Sequence, residues 1–121
     1  MKKTIIIAFI SCFMPLSLIA DKWHDLADEC WIKAEQLRKQ SRYAEAVEMF
    51  KKAAEAERRS HNPRRDFLKA QLSRVGSMYY QLGRYKETLD YFKHALEIVK
   101  ELGDKGEMAG ILNNIGLLYY V

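Results

Sequence analysis

An all-α fold, an α-solenoid of antiparallel helix pairs in about two and a half repeats, is what this chain predicts, and three observations predict it. From Asp21 onward, apolar residues recur three and four positions apart, the spacing that lines them up on one face of a helix. Two prolines and six glycines in 121 residues suit long helices better than many short strands joined by turns. Finally, two 22-residue stretches lying 42 residues apart align without a gap, as in a stacked repeat.

The first twenty residues, MKKTIIIAFISCFMPLSLIA, stand apart. Lys2 and Lys3 precede an apolar run from Ile5 to Ala20, and the segment has no acidic residue. That order predicts a secretory signal peptide cut after Ala20, although Leu18 is larger than the residue usual at that place. An uncleaved N-terminal anchor is the other reading. The run is short for a membrane span, which needs about 20 residues, and Pro15 interrupts it. A lipid attached at Cys12 fits less well, because Phe9-Ile10-Ser11 is a poor lead-in and the apolar run continues past it. Residues 21–121 are then the folded domain, exported to the periplasm or to the extracytoplasmic face of the inner membrane.

Five helices follow, over residues 22–40, 43–59, 64–81, 84–102 and 105–120. Trp23, Leu26, Ala27, Cys30, Ala34 and Leu37 form the stripe of the first, and Tyr43, Ala46, Val47, Phe50, Ala53 and Ala54 that of the second. The third carries Phe67, Leu68, Leu72, Val75 and Tyr79, and the fourth Tyr85, Leu89, Phe92, Ala95, Leu96 and Val99. Met108, Ile111, Leu112, Ile115, Leu118 and Tyr119 belong to the fifth. Ser41 and Gly83 occupy tight turns that need a small or permissive residue. Pro63 stands where the third helix begins, and Gly103 suits a left-handed cap on the fourth. Connections this short make antiparallel neighbours.

Composition excludes several functions. Without the two lysines of residues 1–20, the domain has 18 basic against 16 acidic residues, a net charge of +2. Such a balance gives no footing for a specific nucleic-acid partner. The one dense basic cluster, ERRSHNPRR at 57–65, reads as a solvated connector. Cys30 is the only cysteine after the leader, so no internal disulfide or zinc framework is expected, nor any other cofactor. His24, His61 and His94 lie apart, and no nucleophilic triad, HExxH, phosphate loop or EF-hand spacing occurs, so no catalytic residue is expected. Tyr85, Tyr91 and His94 crowd one stretch, yet His94 aligns with Lys52 one period upstream and is expected to face solvent. Asp25, Asp28 and Glu29 read as a solvated helix turn.

The repeat is explicit in the residues. Between 35–56 and 77–98, seven of 22 positions are identical: Arg42/Arg84, Tyr43/Tyr85, Glu45/Glu87, Phe50/Phe92, Lys51/Lys93, Ala53/Ala95 and Glu55/Glu97. ILNNIGLLYY at 111–120 matches QLSRVGSMYY at 71–80 at a shift of 40. These residues resemble the tetratricopeptide repeat family, with repeats longer than its usual length. Leu72, Val75, Gly76, Tyr79, Gly83, Tyr85, Leu89, Phe92, Ala95 and Leu96 fall on the family's packing positions, with Thr88 where alanine is usual. The first copy departs further, with Cys30, Ala34 and Leu37 replacing the family's bulky residue, glycine and aromatic. Gly76 and Ala95 are expected where the two helices of a repeat cross closely, with Tyr85 and Phe92 filling the space around them.

The resemblance implies a non-catalytic protein-interaction module whose first helices line a concave groove for a peptide or protein partner. Carried over by position, the groove comprises Trp31, Glu35 and Arg38; Ser73, Arg74, Ser77 and Tyr80; and Asn113, Asn114, Leu117 and Tyr120. Asn amides suit a peptide backbone, Arg38 and Arg74 suit carboxylates, and Trp31 and Tyr80 suit apolar side chains. For Tyr80, Leu117 and Tyr120, packing between repeats is the competing expectation. The third copy has no second helix, so the domain reads as incomplete at its C-terminus: either a fragment of a longer protein, or a chain whose last helix is covered by a partner or by self-association. The alternative function is the truncated N-terminal sensory domain of a bacterial membrane-anchored signalling protein, a sensor histidine kinase or transcription regulator. Membrane contact would then come only through an uncleaved leader or a segment beyond Val121.

Overall fold

The computed structural model describes the backbone of residues 16–120, and side chains from Lys22. The basic start, Cys12 and Pro15 lie outside the described residues, so the leader assignment rests on sequence alone. Five helices occupy the described part: α1 Leu16–Lys39, α2 Tyr43–Arg59, α3 Arg65–Gln81, α4 Tyr85–Leu102 and α5 Lys105–Leu118. No described helix is long and apolar enough to cross a membrane.

Two ends differ from expectation. The chain is already helical at Leu16, the first described residue, and α1 runs without a break past Ala20, where the sequence predicts a start near residue 22. Nothing between Leu16 and Asp21 is a helix breaker. Helix α5 stops at Leu118, and Tyr119 and Tyr120 form a turn.

The turns explain the repeat in backbone terms. After α1, Arg42 N donates to Leu37 O at 3.0 Å and Ser41 N to Arg38 O at 2.9 Å. After α3, Arg84 N donates to Tyr79 O at 2.8 Å and Gly83 N to Tyr80 O at 3.0 Å. Both pairs form a Schellman closure with a left-handed residue at its apex, Ser41 at φ 60° and Gly83 at φ 73°. The next residue is an arginine that clasps the glutamate three positions on. Arg42 Nε lies 2.9 Å from Glu45 Oε1, and Arg84 Nη2 lies 2.8 Å from Glu87 Oε1. The identities Arg42/Arg84 and Glu45/Glu87 thus record one turn used twice. Helix α4 ends on Gly103, left-handed as expected, and the Asp104 carboxylate caps α5 by accepting from Glu107 N at 2.9 Å.

Substantial contacts run only between consecutive helices, and the core divides accordingly. One cluster joins α1, α2 and α3 around Ala34, Leu37, Val47, Phe50, Val75 and Tyr79. The other joins α3, α4 and α5 around Leu68, Leu72, Phe92, Leu96, Val99 and Ile111. Gly76 marks the close crossing: a Cβ there would stand 2.7 Å from the Phe92 ring. Tyr85 does not fill the space around that crossing. It is exposed, its ring beside Tyr80 at 5.4 Å, because it opens α4 at the turn, where no third helix covers it. Leu26 and Leu112, also expected in the core, are exposed.

The basic connector is more than solvated. Glu57 is fully buried. Its carboxylate accepts from Arg64 N at 2.6 Å and from Arg64 Nη2 at 2.8 Å, and His24 Nε2 lies 3.4 Å away. Arg64 also donates to Asp28 at 2.9 Å and lies over the Phe67 ring at 4.3 Å. The hydrogen bonds to Glu57 hold the Arg64 guanidinium protonated more firmly than usual. The segment therefore ties α1 and α2 to the start of α3, while Arg58, Arg59, His61 and Arg65 stay exposed.

Candidate partner-binding groove

The groove is built by the odd-numbered helices. α1, α3 and α5 are the first members of successive pairs, and their inner faces are stitched together by ion pairs. Arg74 Nε on α3 lies 3.1 Å from Glu35 Oε1 on α1. Lys69 on α3 donates to Glu107 on α5 at 2.7 Å. That hydrogen bond raises the Lys69 ammonium above its ordinary range, so it stays charged at any physiological pH.

Two adjoining hollows lie along this face. One, of about 400 Å³, is lined by Trp31, Asp66, Lys69, Ala70, Ser73, Arg74, Ser77 and Glu107. The other, of about 330 Å³, has Phe92 in its wall with Ser77, Tyr80, Gln81, Asn114, Leu117 and Leu118. Ser77 belongs to both and joins them.

The expected residues divide between these hollows. Trp31, Ser73, Arg74 and Ser77 line the first; Ser77, Tyr80, Asn114 and Leu117 line the second. Asn113 and Tyr120 line neither, and both are exposed. Arg38 lies toward the α1–α2 turn, where its Nη2 meets Glu35 Oε2 at 2.7 Å. Trp31 is half-buried, stacked edge-on to Phe50 at 5.1 Å and tilted on Phe67 at 5.5 Å, so it offers a partner only part of its ring. The Ser77 hydroxyl donates to Ser73 O at 3.0 Å. Packing between repeats does not bury Tyr80, Leu117 or Tyr120, which are 45%, 59% and 91% exposed.

The electrostatics alter one expectation. Arg38 and Arg74 are not free for a partner's carboxylate, because Glu35 lies between them and pairs with both. With Lys69 paired to Glu107 and near Asp66, the charges of the inner face neutralise one another. What remains to offer a ligand is aromatic surface, hydroxyls and the Asn114 amide. Sequence reasoning missed Lys69, Asp66 and Glu107. They became visible only once α3 and α5 were placed side by side.

Among the described residues, no group of His, Cys, Asp and Glu could hold a metal ion. Tyr91 and His94 meet edge-on at 6.2 Å, away from Tyr85 and its partner Tyr80, and His94 is exposed. Burial pushes up the Cys30 thiol and the Tyr91 phenol, so each is held in its protonated, unreactive form.

Residues 66–120, which span α3 to α5 and carry the Gly76–Phe92 crossing, match the family model described as tetratricopeptide repeat. Over α3 to α5 the chain is similar to the tetratricopeptide repeat family. Comparison with curated proteins and with solved structures returned no match. The match begins one residue into α3, so it covers the second repeat and the third copy. α1 and α2 join the same array through the recurring turn. Tetratricopeptide repeats serve in general as non-catalytic scaffolds for protein–protein interaction.

Proposed function

We propose that this chain is an exported, non-catalytic module that holds a peptide or protein partner along the inner face of α1, α3 and α5. The observation that carries this reading is the pair of adjoining hollows that share Ser77, one lined by Trp31 and the other by Tyr80 and Leu117. Its charges are internally paired, which favours an extended segment with apolar or aromatic side chains over a strongly acidic one. Such a segment would place its side chains against Tyr80 and Leu117 and its backbone against the Asn114 amide.

Selection from a random peptide display library on the immobilised chain tests this. Selected peptides should be enriched in aromatic residues, and Tyr80→Ala with Asn114→Ala should weaken them roughly tenfold, about 1.4 kcal/mol. Binders that keep full affinity for that double variant and for Ser77→Trp would place the site elsewhere.

Export is proposed on the sequence of residues 1–20. The alternative role, as the sensory front of a membrane-anchored signalling protein, rests on the same leader. Sequencing the gene past codon 121 separates the two: a transmembrane helix and an output domain downstream would favour the alternative.

A further inference from the structure

The second helices of the two pairs, α2 and α4, leave a cleft of about 310 Å³ between them. Buried Ala54 and Leu72 form its floor, and Tyr91 of α4 forms one wall. The α2 wall carries Lys51, Lys52 and Arg58, with Glu48 and Glu55 at its border. The charges here are arranged unlike those of the groove, where Arg38, Arg74 and Lys69 each meet a carboxylate. Glu55 is taken by Arg59 at 3.0 Å, and Lys51 reaches Glu48 only at 3.8 Å. Lys52 and Arg58 meet no carboxylate among the described residues. Lys51 Nζ donates to Tyr79 Oη at 3.3 Å, which raises the ammonium above its ordinary range and keeps it charged. Burial pushes the Tyr91 phenol up, against the pull of the nearby Lys51 and Arg58 charges, so its hydroxyl remains a neutral donor. Two cations and an O–H donor thus gather over an apolar floor.

We propose that the α2–α4 cleft binds a small organic acid, its apolar or aromatic body on Ala54 and Leu72 and its carboxylate toward Arg58, Lys51 and the Tyr91 hydroxyl. The chemistry of the walls selects that class. Arg58 offers a fork of donors that matches a carboxylate, and Lys51 adds a point charge beside it. The floor gives nothing to a bare inorganic anion, but it removes a ring or methylene from water. Glu48 and Glu55 repel a multiply charged ligand, so one negative charge suits the cleft better than two. A volume of about 310 Å³ lies at the small end of ligand sites. The cleft is separate from the groove, since no residue lines both. It lies between the first and second repeats, so it is complete without any further helix.

Phenylacetate is the probe, titrated into the full chain and followed by amide NMR, with phenylacetamide as the uncharged control. Saturable shifts centred on Ala54, Arg58, Leu72 and Tyr91 are expected, with a dissociation constant on the order of 1 mM for so small a ligand. The amide should bind roughly tenfold more weakly or worse, and so should the acid to Arg58→Gln. Arg58 is exposed, so that change should leave the helical circular dichroism and melting temperature of the chain intact. Equal affinity for acid and amide, or for the parent chain and Arg58→Gln, would overturn the proposal. Shifts centred on Tyr80 and Asn114 would also overturn it and place the acid in the groove. No saturable shift at roughly tenfold that concentration would overturn it as well.

Discussion

Glu57 is the charged side chain most costly to disturb. It is wholly buried and receives two kinds of donor, the Arg64 amide and the Arg64 guanidinium, with His24 Nε2, which meets Asn62 O at 3.3 Å, 3.4 Å away. Glu57→Gln would keep the shape but remove the charge that holds Arg64. A loss of about 3 kcal/mol is expected, at the lower end for a broken buried pair because Arg64 keeps access to water. Urea denaturation measures it, and a loss under about 0.5 kcal/mol, the range of an ordinary surface change, would count against the network. The sequence hid this residue. Glu57 opens a run of arginines that reads as a wet loop, and its burial depends on how α1 and α3 meet above it. Tyr85 erred the other way. Its identity with Tyr43 made it look like core, but it stands exposed at a helix start with its ring beside Tyr80.

At the scale of the element, the glycines separate covered from uncovered surface. Gly76→Leu should cost about 3 kcal/mol or more, because its Cβ alone would already collide with the Phe92 ring. A Cβ built on Gly116, its equivalent by sequence, would meet no atom within 4 Å, so the same change there should stabilise the chain by about 0.5–1 kcal/mol through helix propensity. Thermal melts of the two variants compare them directly, and effects of the same sign would show that Gly116 does not stand in open space. Helices were legible to within a residue or two wherever a turn residue punctuated them, as at Ser41, Gly83 and Gly103. The helical run through Leu16–Asp21 was not, because the leader pattern and the helix pattern overlap there and hydropathy alone cannot divide them. The groove was legible as a set of positions on first helices. Its electrostatics were not, since the pairing of Glu35 with Arg74 and of Lys69 with Glu107 spans about 40 residues of chain.

For the molecule as a whole, close backbone packing runs between consecutive helices, bridged by the α1–α3 and α3–α5 ion pairs, so stability is largely a sum of neighbour terms. Among the described residues α2, α3 and α4 are each packed between two neighbours, while α1 and α5 have one each; α5 is the shorter of the two ends and its one buried residue is Ile111. Native-state hydrogen exchange should therefore find α5 opening first and the amides around Phe50, Val75 and Val99 last. Uniform protection across all five helices would instead mean a single cooperative core.

The twice-used Schellman turn has a consequence for how such a chain can grow. Arg42 and Arg84 each finish the same backbone bend and precede the same tyrosine. A duplicate of residues 43–84 spliced in behind Arg84 would meet, at both seams, a junction the protein already makes. The array is thus extensible in steps of 42 residues without a new joint, each step lengthening the ligand-facing wall by one rung.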